Sequence, residues 1–359
     1  MSLTKVPLNA ITAKRIGTTA NTTSGANVVL LANVAPGSDL TSNTVNLFKG
    51  SFVDYEEVFN QAQGASFGYA TGGFAPSVVN DIEKYSFTSD ANGTDVANLI
   101  SPRSVMAGTQ STTHGYASGG NPPTTDTIQN FPFSTDSPAS DVANLTYARW
   151  GSGGQSSPTH GYNSGGEPSP YSAPAAKRID KFPFSASVNA TTVGDLSVGH
   201  TRLGGVTGLT HGYTIGGTNS SAGSYLDRFP FSSDENATDV GSLVPYSPGE
   251  LKHASGHQSL TKGYASGGGL APGSAIVLIQ SWSFATDGAA TSVGDLVLSR
   301  YGAAGTSSRT HGYSAGGYNG IGSPGYINSI NKFPFTSDTN ATDIADLSQL
   351  KGMAAGQQV

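Results

Sequence analysis

A Gly-Tyr pair followed four residues on by Gly-Gly occurs six times, beginning at Gly68, Gly115, Gly161, Gly212, Gly263 and Gly312. The intervals are 47, 46, 51, 51 and 49 residues. Helical repeats are mostly shorter and carry a 3.6-residue apolar period, which is missing here, so the repeated unit is built from strands. A unit of this size cannot bury its own apolar surface, and each copy must stack on its neighbours.

Each copy runs in the same order, shown by the second: RSVMAGTQS, THGYASGG, IQNFPFS and SDVANL. Four short strands joined by Gly-, Asp- and Asn-rich turns make one propeller blade. Alternation sets His114, Tyr116 and Ser118 on one side of the second strand and Gly115, Ala117 and Gly119 on the other. Bare glycine on one side suits close packing of sheets. Only 12% of residues are charged and 48 are glycine, a balance that fits either disorder or a turn-rich β protein. The 15 Phe, 15 Tyr and 2 Trp fall at regular intervals, which favours an ordered core.

The Gly-Gly pair after an aromatic, with an Arg opening the first strand, resembles the kelch family of β-propellers over about Ala65 to the C-terminus. Arg103, Arg149, Arg202 and Arg300 are matched to the opening Arg, with His253 and Lys351 replacing it. The FPF element stands where that family carries later Tyr and Trp positions, so the resemblance implies a kelch-like variant.

First strands follow Ile100, Thr146, Val198, Leu251 and Leu298, and a sixth lies at Lys351 to Val359, with no copy before Gly68. The first and second strands are therefore offset by one. The expected fold is all-β, a six-bladed propeller over residues 64–359 whose first blade is completed by residues 351–359, preceded by a non-repeat arm at residues 1–63. Closure by the last strand removes the sheet edge that an open fan would expose.

Loop lengths separate the two ends of the disc. From the FPF-position aromatic (Tyr85, Phe131, Phe182, Phe229, Trp282, Phe333) to the following Leu the spacing is 14 in every copy. From Gly-Gly to that aromatic it runs 12, 11, 16, 12, 14 and 16, and from Leu to the next Gly-Tyr it is 16 in four copies and 20 in one. In a meander the two varying connections share one face. Variable loops on a rigid scaffold are where recognition tends to sit, and these carry Tyr171, Tyr225, Tyr246, Tyr318 and Tyr326 among Pro, Ser, Asn and Gly. These five are the candidate ligand- or receptor-binding residues; freedom from constraint would also let such loops vary.

Other chemistry reads as structural. His114, His160, His211 and His311 share a repeat position, but Phe67 and Lys262 break the ring, and hydrogen bonding between blades is the expected role. The SDANGTD-type turns lack the Gly and distant Glu of a calcium loop and read as Asx turns. Trp282 occupies the FPF aromatic position and is expected in the core. Every Ser, His or Asp that would serve as nucleophile or base is a repeat position, and no carboxylate pair for glycoside cleavage stands out, so no catalytic residue, metal or cofactor is expected. With no cysteine, neither a disulfide nor the copper site with a Cys-Tyr cross-link of the galactose oxidase branch can form.

A net charge of −6 with 18 scattered Lys and Arg gives no footprint for nucleic acid. Neither the N-terminus nor NVVLLANVA at Asn27 to Ala35 provides an export or membrane signal. The opening LTKVPLNAIT looks similar to N-terminal attachment segments of phage fibre and virion proteins, and FPFSSD-type repeats resemble those in structural proteins of marine cyanophages. That resemblance implies a non-enzymatic virion protein, a tail fibre, adhesin or capsid-associated subunit assembled in the host cytoplasm. Its arm would bind other virion proteins, its variable loops host-surface glycan or neighbouring subunits, and self-association is open. A cellular kelch-type scaffold and a propeller lyase or glycosidase are the alternatives.

Overall fold

A computed structural model describes residues 63–359 apart from 173, 219–223, 245–249, 271–273 and 321–324. The sequence-predicted arm, but for Gln63, lies outside the described residues, as does Tyr246. Six four-stranded antiparallel sheets form a six-bladed β-propeller; the helical content of the described residues is a 3-10 turn at Ala175–Lys177.

The first blade contains β1 (Phe67–Phe74), β2 (Val78–Ser86) and β3 (Thr94–Asn98), and its innermost strand is the C-terminal Ala355–Gln358, paired antiparallel with β1. The expected closure is thus in place. The second blade runs without interruption through β4 (Ala107–Gln110), β5 (His114–Ser118), β6 (Thr127–Pro132) and β7 (Ser140–Asn144), and four more follow its pattern.

Innermost strands neighbour one another all the way round the axis. Each carries a central glycine, and steric closeness explains why. A Cβ on Gly108, Gly154, Gly205, Gly256, Gly305 or Gly356 would lie no more than 2.6 Å from the carbonyl oxygen of the equivalent glycine in the adjacent blade. A methyl group cannot be accommodated against backbone at that range, so the axis closes around a belt of bare glycines.

The blades interlock through aromatics. In the second strand the Gly of Gly-Tyr lets the FPF aromatic of its own blade lie flat across it; a Cβ on Gly115 would strike Phe131 and one on Gly263 would strike Trp282. The Tyr beside it points the other way, into the next blade. Tyr116 packs on Phe182 and Phe184 with ring centroids 5.7 and 4.9 Å away, and Tyr213 packs on Trp282 and Phe284 at 6.0 and 5.0 Å. Tyr69, Tyr162, Tyr264 and Tyr313 repeat the arrangement. Each contact adds about 0.5–1.5 kcal/mol beyond the apolar area it buries. Trp282 is in the core, as expected.

Polar contacts repeat with the same period. A buried acceptor on each third strand takes the backbone N–H just beyond the preceding blade's outer strand: Gln129 from Ile100, Asp180 from Thr146, Asp227 from Ser197, Gln280 from Val244, Asn331 from Val297 and Glu83 from Ser348. Asn92, Asn189, Asn236 and Asn340 of the Asx-type turns accept from the backbone of a neighbouring blade. The turn asparagines thus fasten blades together.

Candidate functional site

The two variable connections open on the same end of the disc. There the Gly-Gly pair leaves the sheet with both φ values positive, and the N–H of its second residue donates to the carbonyl of the residue that opens the next first strand. Those acceptors are Arg103, Arg149, His200, Leu251, Arg300 and Lys351. The opening position is therefore occupied by His200 and Leu251 in the fourth and fifth blades, not by Arg202 and His253, which stand two residues further on. Sequence alignment on the visible Arg shifted those two copies out of register.

The opening side chains point inward and each meets a partner of its own blade. Arg149 forms a fully buried ion pair with Asp180 at 2.8 Å, Lys351 lies between Asp81 and Glu83, and Arg300 donates to the carbonyls of Gly316 and Ser329. His200 stacks on Tyr225 at 4.6 Å, and burial pushes its imidazole down to about 4. Tyr225 is thus the first residue of the strand Tyr225–Pro230, and its ring is used in holding His200.

Two residues on, Val105, Gly151, Arg202, His253, Gly302 and Met353 encircle the axis. Val105 N–H donates to Met353, Met353 to Gly302, Gly302 to His253, His253 to Arg202 and Gly151 to Val105, while the Gly151 carbonyl accepts from Leu203. All six residues have positive φ, with Val105 at 58°, Arg202 at 60°, His253 at 49° and Met353 at 58°. Such a backbone favours glycine and costs other residues about 1–2 kcal/mol each. A chain with 48 glycines places four side chains here at that cost. Val105, His253 and Met353, with Gly151 and Gly302, line a depression of about 60 Å³ at the axial mouth; Arg202 stands outside its lining.

Around this ring the rim is aromatic. Arg202 lies over Trp150, 5.2 Å from the ring centroid. His253 stacks on Tyr301 at 6.3 Å, Tyr301 meets Tyr318 edge to face at 5.4 Å, Tyr318 meets Tyr326 edge to face at 4.9 Å, and Tyr326 packs at a tilt on Phe74 at 5.5 Å. Because Arg202 and His253 are joined by the ring's hydrogen bond, one half-buried crescent passes through five consecutive blades. Desolvation pushes His253 down to about 3, with Arg202 and Lys252 adding to the effect, so the imidazole is neutral. Burial raises Tyr301 and Tyr326, which keeps both phenols protonated.

Of the sequence-predicted binding residues, Tyr318 and Tyr326 come together here. Tyr171 stands apart in the third blade's loop, 66% exposed. Phe74, Trp150, Arg202, His253 and Tyr301 were missed. A column reading Val, Gly, Arg, His, Gly, Met was the available signal, because its two glycines mark a left-handed position.

The histidines at the start of the second strands do not bond between blades. The Nδ1 atoms of His114, His160, His211 and His311 each share a hydrogen bond of 2.8–2.9 Å with the hydroxyl of the preceding Thr. Among the described residues no three His, Asp or Glu side chains gather as a metal site, and no helix is long and apolar enough to cross a membrane.

A second cavity, of about 170 Å³, lies between the second and third blades at the constant-length end. Lys84 pairs with Asp136, Lys181 with Asp234, Arg228 with Asp287 and Lys332 with Asp90 across other junctions. Asn130 and Ser187 stand at the corresponding places here and line the cavity; the junction of the fifth and sixth blades, with Ser281 at the Lys84 position, has no such ion pair among the described residues either. By sequence, the chain matches no protein-family model and no curated protein.

Proposed function

We propose that this propeller is a non-enzymatic virion protein that attaches to its particle through residues 1–62 and recognises host-surface glycan with its variable face. The observation that carries the reading is the crescent: aromatic groups from four blades, joined by Arg202 of a fifth, line the one face where loop length varies. Tyr and Trp present rigid, amphipathic area at low entropic cost, and their rings suit the C–H faces of sugars.

The kelch-like resemblance and the likeness of the N-terminal segment to phage attachment sequences supply the virion setting. Gln63 is fastened at the constant-length end, its amide donating to the carbonyls of Gln258 and Ser308. Gln63 itself thus stands at the end of the ring opposite the mouth.

Gold-labelled antibody to the propeller, viewed on intact particles by electron microscopy, tests the setting. Label at a tail tip or fibre is expected; absence of label with the epitope demonstrably accessible overturns it. Tyr318→Ala tests the face: host adsorption is expected to fall at least about tenfold, the loss of one stacked anchor, with the melting temperature retained. Unchanged adsorption would sink the glycan reading.

A further inference from the structure

Resting on that reading, we propose that the glycan recognised at the axial mouth is acidic, its carboxylate or sulfate taken by Arg202 while its sugar rings lie against Tyr301, Tyr318 and Tyr326. Three observations on the crescent lead there.

First, Arg202 stands on a left-handed backbone where the same ring uses glycine at Gly151 and Gly302, so a side chain is kept at a position that disfavours one. Second, its guanidinium carbon lies over Trp150, 5.2 Å from the ring centroid, and no carboxylate of the described residues lies within ion-pairing distance of it. The guanidinium groups at the opening positions, Arg103, Arg149 and Arg300, are consumed by partners within the fold, whereas that of Arg202 keeps its donors for something outside it. Third, of the two cations beside His253, Arg202 is the one with no acidic partner among the described residues. Arg202 and Lys252 both bear on His253, which is itself neutral, and Lys252 has Glu250 at 3.2 Å as a partner. Glu167, joined by backbone pairing to Trp150, forms no ion pair among the described residues.

A guanidinium is planar and binds a carboxylate or sulfate with two parallel hydrogen bonds, and the cation–π contact with Trp150 favours this position before ligand arrives. Ring-to-ring hydrogen bonding puts His253 next to Arg202, and Tyr301 next to His253. An acidic sugar anchored at Arg202 therefore has a continuous aromatic path for its neighbours along the chain.

Hexagalacturonate and its fully methyl-esterified form make a matched pair of probes that differ in charge, and the full-length protein is titrated with each by calorimetry. The acid is expected to bind at least about tenfold more tightly than the ester, the increment of a charge-assisted bidentate contact, with the difference shrinking as salt rises. Arg202→Gly should abolish the difference, and since glycine suits this backbone the variant should melt no lower than wild type. Arg202→Lys, which keeps charge without the planar fork, should recover only part of it.

Equal binding of acid and ester overturns the acidic assignment and leaves the glycan reading standing. If neither probe binds while Tyr318→Ala still weakens adsorption, this assignment alone fails. If neither binds and Tyr318→Ala has no effect, both fail.

Discussion

The two ends of the disc are built from the same six copies and obey different rules. At the constant-length end each blade repeats its neighbour: a Tyr enters between two aromatics of the next blade, and most junctions add a Lys- or Arg-to-Asp pair or an Asn acceptor. At the variable end the backbone repeats just as closely, since every ring residue has positive φ, yet the side chains read Val, Gly, Arg, His, Gly and Met. Sequence is held uniform where one blade is the binding partner of the next. It diverges at the mouth, where Arg202 and His253 meet aromatic residues, Trp150 and Tyr301, that have no counterpart in every blade.

The comparison breaks most severely if closure is removed. Deleting residues 351–359 strips the inner strand from β1, removes Lys351 from Asp81 and Glu83, and opens one sixth of the axial hydrogen-bond ring. Both ends then lose the circular arrangement on which they depend. Calorimetry should show no cooperative transition, and a deletion variant melting like the full chain would refute closure.

Next in size is the glycine belt. Gly205 does not have positive φ, so alanine is acceptable to its backbone; the obstacle is the Gly154 carbonyl, against which a Cβ would collide. Backbone cannot move aside without separating the third and fourth blades. Gly205→Ala should destabilise by on the order of 4 kcal/mol, read from urea unfolding. A loss below about 1 kcal/mol would mean that the axis is looser than described.

His257 gives a third, pH-dependent measure. Its ring is buried on an inner strand, with Nδ1 3.0 Å from the Thr306 carbonyl and Nε2 2.7 Å from the Ser266 hydroxyl. Since the carbonyl only accepts, Nδ1 carries the proton, and the neutral ring is satisfied on both sides. Burial pushes this imidazole down to about 4. The stability from keeping it neutral is complete above the ordinary imidazole range and is lost as pH falls from about 6.5 to about 4. The loss is on the order of 3 kcal/mol. His257→Gln, using the residue found at the equivalent Gln155 and Gln357, should flatten unfolding free energy over that interval by this amount. His253 and His200 slope the same way and remain in the variant.

The division between the ends also explains what could be read from sequence. Blade number, closure and the core role of Trp282 were legible because Gly-Tyr, Gly-Gly and FPF are short local patterns required in every blade. The mouth was not, since it is assembled from single residues of five blades that share a place and no chemistry. Arg202 added a specific error: its type imitates Arg103 and Arg149, while its backbone belongs to the column of Val105 and Gly151. Tyr225 misled in the opposite sense, as a loop-like Tyr that proves to be a strand residue clasping His200. Of the loop tyrosines, Tyr318 and Tyr326 are the two that pack on each other.

The smallest expected effect is the sharpest, because it reverses the sign of the same kind of exchange. Putting a methyl group on Gly205 destabilises; removing the side chain from His253 should stabilise. His253 has φ of 49°, makes its ring hydrogen bonds through backbone N–H and C=O alone, and keeps its imidazole neutral against two nearby cations. His253→Gly relieves the left-handed strain and the desolvation, at the loss of stacking on Tyr301 and of some backbone order in the unfolded chain. The net gain should be about 1 kcal/mol, measured by urea unfolding at pH 7. A ring residue that resists unfolding better as glycine is one kept for its side chain. If the variant is instead destabilised by as much as a core truncation, His253 is part of the scaffold, and the distinction between the two ends fails at the position where it was drawn most finely.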